Sequence, residues 1–186
     1  MSAFNLIVDG GFEHPTITAG SVMTQFPSGD SYPWKAIPTA NSNCPAGTVG
    51  MFEIQNSLVD GSKPALLGSK QWLELDSMCS DSGLGNAGNM LVYQEAAVQV
   101  DNFYQIRFSV ARRSNDSTNL QSIIVRANGV KLFSQESTNT NWMNYSFVVK
   151  ASAAKMKLEF EETGLANRFG TLLDNVQLIN LGTDPK

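Results

Sequence analysis

Nine residues toward the C-terminal end read Gly170-Thr171-Leu172-Leu173-Asp174-Asn175-Val176-Gln177-Leu178. The alternation in this stretch predicts a strand with four side chains on one face: Leu172, Asp174, Val176 and Leu178. That face is apolar except for one carboxylate. A carboxylate that points into a core is costly unless a cation or several donors hold it. We therefore expect a compensating group beside Asp174.

A second acidic segment lies near the start of the chain and reads Asn5-Leu6-Ile7-Val8-Asp9-Gly10-Gly11-Phe12-Glu13. If the first and last strands pair, Glu13 comes close to Asp174. Two carboxylates with neighbouring main-chain carbonyls form the oxygen-rich site that a hard cation prefers. The alternative is that Asp174 accepts backbone N–H groups at a β-bulge while Glu13 is solvated.

The composition is that of a globular chain with a weakly charged surface. Of its 186 residues, 42% are hydrophobic and 16% charged, which predicts one domain over residues 1–186 with its core at about 4–181. The net charge of -4 argues against nucleic acid as a partner, because phosphate binding needs a basic patch. There is no run of about 18 apolar residues, so no membrane span is expected.

The N-terminal residues bear on location. Met1-Ser2-Ala3-Phe4-Asn5 lacks the basic start and the apolar stretch of a signal peptide. We expect either that a leader has been removed or that the protein leaves the cell by another route, such as lysis. Surfaces rich in Ser, Thr, Asn and Gln are common on extracellular, cell-surface and virion proteins, and we expect one of these locations.

Alternating apolar residues predict strands along most of the chain. The clearest are 103–112, 121–127, 130–134, 143–149, 155–161 and 171–180, with less regular ones near 5–8, 49–55, 71–76 and 91–98. Asn128-Gly129 between two of them predicts a tight hairpin, because both residues accept positive φ. About ten short strands with turn signals between them predict an all-β fold, a jelly-roll β-sandwich of two antiparallel sheets.

The two cysteines, Cys44 and Cys79, lie in stretches rich in Asn, Ser and Gly that are typical of loops. They can form one disulfide that joins two loops, or remain two free thiols. Two cysteines and one histidine do not make a structural zinc site of the usual four-ligand kind.

Short segments in a fixed order resemble the galactose-binding-like jelly rolls, which include carbohydrate-binding modules and the cell-wall-associated DUF642 proteins. Residues 5–13 resemble the family's "NLLxNGxFE" start, although Gly11 stands where Ser is usual. The other matching segments are Val49–Ile54 ("xVEI"), Gln71–Asp76 ("QxVELD"), Tyr93-Gln94 ("YQ"), Phe103–Ala111 ("YxLxFxxA"), Trp142–Phe147 ("WxxxxFxF") and Leu173–Val176 ("LDNV"). The long loops around Cys44 and between Met78 and Asn89 depart from the pattern.

This resemblance implies a jelly-roll fold, a glycan or polysaccharide as the partner, and a structural calcium ion. Calcium would be held by Glu13, Asp174 and loop carbonyls, that of Gly11 among them, and would fasten the two chain ends. The likeness concerns a fold that carries many functions, so the glycan has to be argued from a site.

Sugars stack on flat rings and bond to amides, carboxylates and guanidinium groups. Four candidate contacts have these side chains: Trp34, Trp72, Tyr93 and Arg107. A concave sheet would gather the last three together with Gln105, whereas the alternative is that the two tryptophans pack inside the fold. Trp142 is expected to be structural.

No catalytic residue is predicted, and we expect a non-enzyme. The one histidine, His14, stands beside a proline and no nucleophile motif accompanies it. A glycosidase would need a carboxylate pair, for which Glu53, Glu74 and Asp76 remain candidates.

Two other functions stay open. One is a structural virion or adhesin module, a homo-oligomer or a partner of other surface proteins, with apolar pairs such as Leu66-Leu67 buried in the contact. The other is a polysaccharide-cleaving enzyme.

Overall fold

The computed structural model describes residues 4–59, 61, 65, 69–79, 86–115, 121–136 and 138–184. Within these ranges it contains twelve strands and no helix, which confirms the all-β prediction. The strands are β1 (Met23–Pro27), β2 (Lys35–Pro38), β3 (Met51–Asn56), β4 (Gln71–Glu74), β5 (Asp76–Met78), β6 (Ala87–Ala97), β7 (Phe103–Arg112), β8 (Ser122–Ala127), β9 (Val130–Glu136), β10 (Met143–Lys150), β11 (Lys155–Glu162) and β12 (Thr171–Gly182).

Two antiparallel sheets face each other, as the jelly-roll prediction requires. The first sheet has the order β1-β3-β4-β12-β7-β10, and the second has the order β2-β6-β11-β8-β9, with short β5 paired to the start of β6. Apolar side chains from both sheets meet between them and are almost fully buried, among them Phe52, Ile106, Phe108, Leu158 and Phe160. This shared core buries the apolar face that each sheet has by alternation.

Nine of the ten predicted strands are present, the stretch 5–8 forms only a bridge, and sequence reasoning missed β1, β2 and β5. β7 has the predicted bounds, and Asn128 and Gly129 join β8 to β9 with φ angles of 48° and 77°, which confirms the hairpin. β1 lies in a stretch interpreted as a loop, because Gly20 and Pro27 read as turn signals. β1 and β2 lie at sheet edges and are only partly buried, so their alternation is weak.

The first segment meets the last strand, as predicted, although it forms a bridge rather than a full strand. Asn5 pairs with Ile179 in antiparallel fashion. The Leu6 N–H donates to the Leu178 carbonyl at 2.9 Å, and the Val176 N–H donates to the Gly10 carbonyl at 2.8 Å. The chain therefore turns at residues 8–11 directly against β12.

The predicted single face of β12 is wrong, because a β-bulge interrupts the alternation. The register of β12 on β7 shifts between Asp174 and Gln177, and Asn175 takes a positive φ of 55°. Leu172 and Asp174 consequently lie on the side away from the core, whereas Val176 and Leu178 lie in the core. An inserted residue in a strand exchanges the faces of everything beyond it.

The two cysteines form a disulfide between Cys44 and Cys79. It joins the β2–β3 loop to the residue after β5, next to Gly88 of β6. The apolar pair Leu66-Leu67 lies outside the described residues. No helix in the described part of the chain is long and apolar enough to cross a membrane.

Gly10→Ala tests the contact between the two chain ends. A Cβ at this position would overlap the main-chain carbonyl of Val176, so the backbone must move. We expect a loss of about 1–3 kcal/mol in the free energy of unfolding, measured by denaturant titration. Gly29→Ala is the matched control, since nothing lies within 4 Å of its added Cβ, and it should change stability by less than about 0.5 kcal/mol. Equal effects of the two substitutions would contradict the proposed role of the contact.

Candidate functional site

The side of the first sheet that points away from the core carries ordered rows of side chains. Strand register places Gln25, Glu53 and Glu74 side by side on β1, β3 and β4. The same row continues to Leu172 on β12 and Ala111 on β7. Directly opposed residues of antiparallel strands share a face. We call this side the outer face of the first sheet.

Glu53 and Glu74 form a buried carboxyl pair on this outer face, with relative exposures of 5% and 1%. The side-chain amide of Gln55 donates to both carboxyl groups. The Arg113 Nη1 donates to Glu74 at 2.7 Å and lies 3.9 Å from a Glu53 oxygen. The Gly170 N–H donates to the other Glu74 oxygen at 2.8 Å. Every oxygen of Glu74 is therefore engaged.

Electrostatics favour the neutral form of Glu74. Burial raises the pKa of Glu74 well above its usual value and the Glu53 charge raises it further, whereas Arg113 lowers it. A protonated Glu74 lets two carboxyl groups stand side by side with a single guanidinium.

A cleft of about 540 Å³ opens beside this pair. It is lined by polar, charged and apolar side chains: Met23, Gln25, Glu53, Met78, Arg113, Asn167, Arg168 and Phe169. The guanidinium carbon of Arg113 lies 4.9 Å from the centre of the Phe169 ring. The Arg113 Nε is buried and has no hydrogen-bond partner in the described part of the chain. We call this feature the Glu53 cleft.

Three buried carboxylates hold the loop of residues 163–170, which forms one wall of the Glu53 cleft. Glu162 accepts N–H groups at both ends of the loop, at 2.9 and 2.7 Å. Asp76 accepts two successive N–H groups near its middle, at 2.7 and 2.8 Å. Glu74 accepts one more at its C-terminal end. These loop N–H groups thus bond to side chains, while the Thr163 N–H donates to the Ser122 carbonyl of β8 at 2.8 Å.

Burying these carboxylates in their charged form costs free energy. Burial raises the pKa of Glu162 to about 7 and that of Asp76 to about 6, although the backbone N–H groups that they accept lower both values. The loop wall is therefore held by groups that titrate near neutral pH.

A second groove, of about 310 Å³, lies on the same outer face over β7, β10 and β12. Its lining includes the predicted contact Arg107 together with Asn144, Ser146 and Asn175. It has amide and hydroxyl groups, whereas the Tyr145 ring packs on the core side, 4.3 Å from the ring centre of Phe133. We call it the Arg107 groove.

The two predicted tryptophans are fully buried, in agreement with the packing alternative. Trp34 lies in the core, 5.2 Å from the Phe12 ring centre, and its Nε1 donates to the Asp9 carbonyl at 3.1 Å. Trp72 lies on the outer face, where Trp142 packs edge-on against it with ring centres 6.2 Å apart. Neither ring presents a free face to a ligand at the surface.

The prediction that one concave face gathers Trp72, Tyr93, Gln105 and Arg107 is wrong. Tyr93 belongs to β6 of the second sheet, where the Lys157 Nζ lies 4.1 Å from its ring centre. The other three lie on the first sheet. Sequence alternation assigns faces within a strand but does not say which sheet the strand joins.

The predicted metal residues do come together. A Cβ added to Gly11 would lie 3.8 Å from both the Asp174 Oδ1 and the Glu13 Cγ. Asp174 accepts the N–H groups of Ala65 at 2.9 Å and of Asn175 at 2.6 Å. That confirms the bulge alternative for Asp174 and leaves the metal a prediction.

Glu13 holds the same region of chain from the other side. One of its oxygens accepts the Ser69 hydroxyl and the N–H groups of Lys70 and Gln71, at 2.6, 2.7 and 3.2 Å. The described residues contain no group of three or more His, Cys, Asp or Glu side chains that could hold a metal ion. Any ion here would therefore depend on main-chain oxygens as well.

Sequence reasoning found part of the Glu53 cleft and missed the rest. It named Glu53, Glu74 and Asp76 as candidates for a carboxylate pair but did not find Gln25, Arg113 or Phe169. Gln25 lies on an unpredicted edge strand, and Phe169 lies in a loop. One signal was present, since Glu53 and Glu74 occupy alternating positions of two strands that are apolar on the other face.

Comparison with protein families and solved structures agrees with this fold. The DUF642 family, described as a protein of unknown function, matches residues 82–179, just over half of the chain. No curated protein matches the sequence.

Three solved structures illustrate the likeness. The K1 cleaved adhesin domain of Lys-gingipain from Porphyromonas gingivalis W83 is 16% identical, with a TM-score of 0.53 and coverage of 85% of this chain and 98% of that chain. An arabinose-bound α-L-arabinofuranosidase, MgGH51, is 12% identical, with a TM-score of 0.55 and coverage of 95% and 26%. TmCBM61 in complex with β-1,4-galactotriose is 14% identical, with a TM-score of 0.49 and coverage of 95% and 99%. At these identities the likeness concerns the fold alone.

Glu162→Gln tests how the burial of a loop carboxylate makes the free energy of unfolding depend on pH. The pKa of Glu162 in the folded protein, about 7, lies above the ordinary 4.5. Its stabilising contribution is therefore complete below pH 4.5 and is lost as the pH rises through 7. We expect Glu162 alone to lower the free energy of unfolding by on the order of 3 kcal/mol between pH 5 and pH 8, in addition to the falls due to Asp76 and Asp174, so the total fall should be smaller in the variant.

Denaturant unfolding at the two pH values, with chelator present, measures this difference. Glu136→Gln, on an exposed position of β9, should keep the pH dependence of the parent protein. If Glu162→Gln kept it as well, the buried carboxylate would not be its source.

Proposed function

This chain belongs to the DUF642 family, and from its geometry we propose that it is a non-catalytic glycan-binding module that binds its ligand in the Glu53 cleft. The protein acts outside the cell, on a cell surface or on a virion. A disulfide between two loops supports that location, because disulfides persist in oxidising compartments.

The observation that carries the proposal is the composition of the Glu53 cleft. A sugar ring has apolar C–H faces and a rim of hydroxyl groups. The Phe169 ring and two methionines of the cleft can contact the C–H faces. Gln25, Glu53 and Asn167 can form hydrogen bonds with the hydroxyl groups.

The cleft is also held in place before any ligand arrives. The Gln25 side-chain amide donates to Glu53, the Gln55 amide joins Glu53 to Glu74, and Arg113 stacks on Phe169. Because these side chains are already ordered, binding costs little additional conformational entropy.

The hydrogen bonding of the two carboxyl groups supports binding without cleavage. Catalytic glycosidase carboxyls flank the scissile bond, roughly 5–9.5 Å apart. Glu53 and Glu74 instead face each other across adjacent strands and share one amide and one guanidinium, and Glu74 does not line the cleft. Both carboxyl groups form hydrogen bonds that hold the cleft in place.

A second candidate function is protein assembly, as in a virion or adhesin module. It is favoured by an apolar area at the opposite end of the outer face, where Val148 and Ile179 flank Gln105 in one row and Phe103 follows. Val148 is 52% exposed. Light scattering separates the two functions, because the glycan-binding proposal requires no oligomer, whereas assembly does.

Phe169→Ala tests the glycan site. We would screen the protein on an array of plant, fungal and bacterial oligosaccharides that includes β-1,4-galactan, arabinan, cellulose and chitin fragments, and then titrate the best binder by calorimetry. Loss of the stacking ring should weaken binding by about tenfold or more. Arg107→Ala, in the Arg107 groove, should leave the affinity unchanged.

Three outcomes decide the proposal. Weakening by Phe169→Ala alone supports the Glu53 cleft. Weakening by Arg107→Ala alone moves the site to the Arg107 groove. No binding on the array, with a defined oligomer in solution, would replace glycan binding by assembly.

The calcium ion belongs to the same proposal. Glu13 and Asp174 lie on either side of Gly11, and the Glu13 charge adds to burial in raising the pKa of Asp174 to about 7. No Lys, Arg or His among the described residues forms an ion pair with either carboxylate. Two such groups beside main-chain oxygens fit a hard cation, which would hold the β3–β4 loop and the chain ends together.

Melting with and without chelator tests this ion. Calcium at about 100 times its dissociation constant should stabilise the parent protein by ~2.7 kcal/mol. Asp174→Asn should reduce that response, since it removes one charged ligand. Equal melting of the parent protein in calcium and in chelator would remove calcium from the proposal.

A further inference from the structure

Three polar residues lie side by side on β5, on β6 and just beyond β2, and two of them bond to the 163–170 loop. Asp76 of β5 is the direct register partner of Asn89 on β6. The Thr39 N–H donates to the Asn89 carbonyl at 2.9 Å, one residue beyond the end of β2. Neighbours across adjacent strands share a face. The side chains of Asp76, Asn89 and Thr39 therefore form one row across three strands.

Each of these side chains has a buried oxygen without a donor. The Asp76 Oδ1, the Asn89 Oδ1 and the Thr39 Oγ1 are inaccessible to solvent and have no hydrogen-bond partner among the described residues. Asp76 and Asn89 are fully buried. Unsatisfied buried polar atoms are rare in native proteins and indicate a missing water or ion.

The other polar atom of Asp76 and of Asn89 forms hydrogen bonds that orient the side chain. The other Asp76 oxygen accepts two N–H groups of the loop. The Asn89 Nδ2 donates to the Gly164 carbonyl at 2.7 Å. Exchanging the amide oxygen and nitrogen of Asn89 would set its oxygen against that carbonyl, so the Oδ1 must remain in the row.

Charge distinguishes an ion from a water molecule here. In the described part of the chain, no Lys, Arg or His forms an ion pair with Asp76. Burial raises its pKa to about 6 and the negative charge of Glu53 acts in the same direction, although hydrogen bonds from the backbone N–H groups of Asn167, Arg168 and Gly88 lower it. These N–H groups offset only part of the buried charge, and a water molecule adds no positive charge, whereas a cation does.

We propose that Asp76, Asn89 and Thr39 bind a hard metal cation through these three oxygens, at a site separate from Glu13 and Asp174. Carboxylate, amide and hydroxyl oxygens are the ligands that such cations prefer. The ion neutralises Asp76 while the second oxygen of the same carboxylate holds the loop. It thereby stabilises the wall that carries Phe169.

The test starts from the double variant Glu13→Gln/Asp174→Asn, which removes the other candidate ion. This protein is stripped with chelator and kept in a buffer whose only cation is tetramethylammonium. Calcium or sodium is then added separately while the melting temperature is measured. We expect a rise of about 5 °C at saturation with at least one of them.

Three further substitutions in that background identify the site. Asp76→Asn should abolish the response, because its new amide donates to Asn89 where the ion would sit. Thr39→Val keeps the shape and should raise the half-saturating concentration by ~10-fold. Ser77→Ala is the matched control: the Ser77 Oγ is also buried without a partner, but it points to the opposite face of β5, so the response should remain.

A crystal structure of the parent protein grown with calcium or rubidium decides the case without any variant. An anomalous peak in contact with the Asp76 Oδ1 and the Asn89 Oδ1 supports the site, at about 2.3–2.6 Å for calcium. A peak without anomalous signal at about 2.8 Å from these atoms is a water molecule. That result, or no thermal response to either cation, would overturn the proposal.

Discussion

Buried or half-buried carboxylates that accept backbone N–H groups are the interaction on which this structure depends. A sandwich of short strands leaves long loops whose backbone groups have no strand to pair with, and those groups must still be satisfied. Here five acids do this: Glu13, Glu74, Asp76, Glu162 and Asp174. Two of them hold the β3–β4 loop and three hold the 163–170 loop. The described residues of both loops are therefore held in place by hydrogen bonds to these side chains.

This arrangement has an electrostatic cost that explains where ions are expected. Burial raises the pKa of Glu74, Asp76, Glu162 and Asp174. Within the described ranges, Glu74 is the one member of this set with a basic side chain in contact, Arg113, and burial beside Glu53 still favours its neutral form. The others need a proton or a cation to offset their charge. Both cation sites that we propose lie at such acids, where oxygen atoms converge and no basic side chain is paired.

The same acids connect the chemistry of the fold to the cleft. Glu74 and Glu53 share the amide of Gln55. The 163–170 loop places the Phe169 ring against the Arg113 guanidinium. A ligand in the Glu53 cleft would meet a surface whose positions are set by buried hydrogen bonds. The disulfide at Cys44 and Cys79 fastens the strand that carries Asp76 and lies next to Met78 in the cleft wall.

The sequence by itself determined the class of fold, most of the strands and the meeting of the two chain ends. Those features depend on local alternation, on Asn128-Gly129 and on the order of short motifs, all of which are readable along the chain. The wrong predictions for β12 and Tyr93 show what sequence alternation does not determine. One residue with positive φ, Asn175, exchanged the faces of a strand, and no pattern of apolar residues says which sheet β6 joins.

The candidate sites depend on the tertiary structure to a greater degree than the class of fold does. Glu53 and Glu74 were recognisable as candidates, but their pairing, their shared guanidinium and the approach of Phe169 arise from residues far apart in the chain. The row of Asp76, Asn89 and Thr39 likewise spans three strands. Only the folded chain decides which polar atoms are buried and unsatisfied, because burial is a property of packing between segments rather than of any one segment.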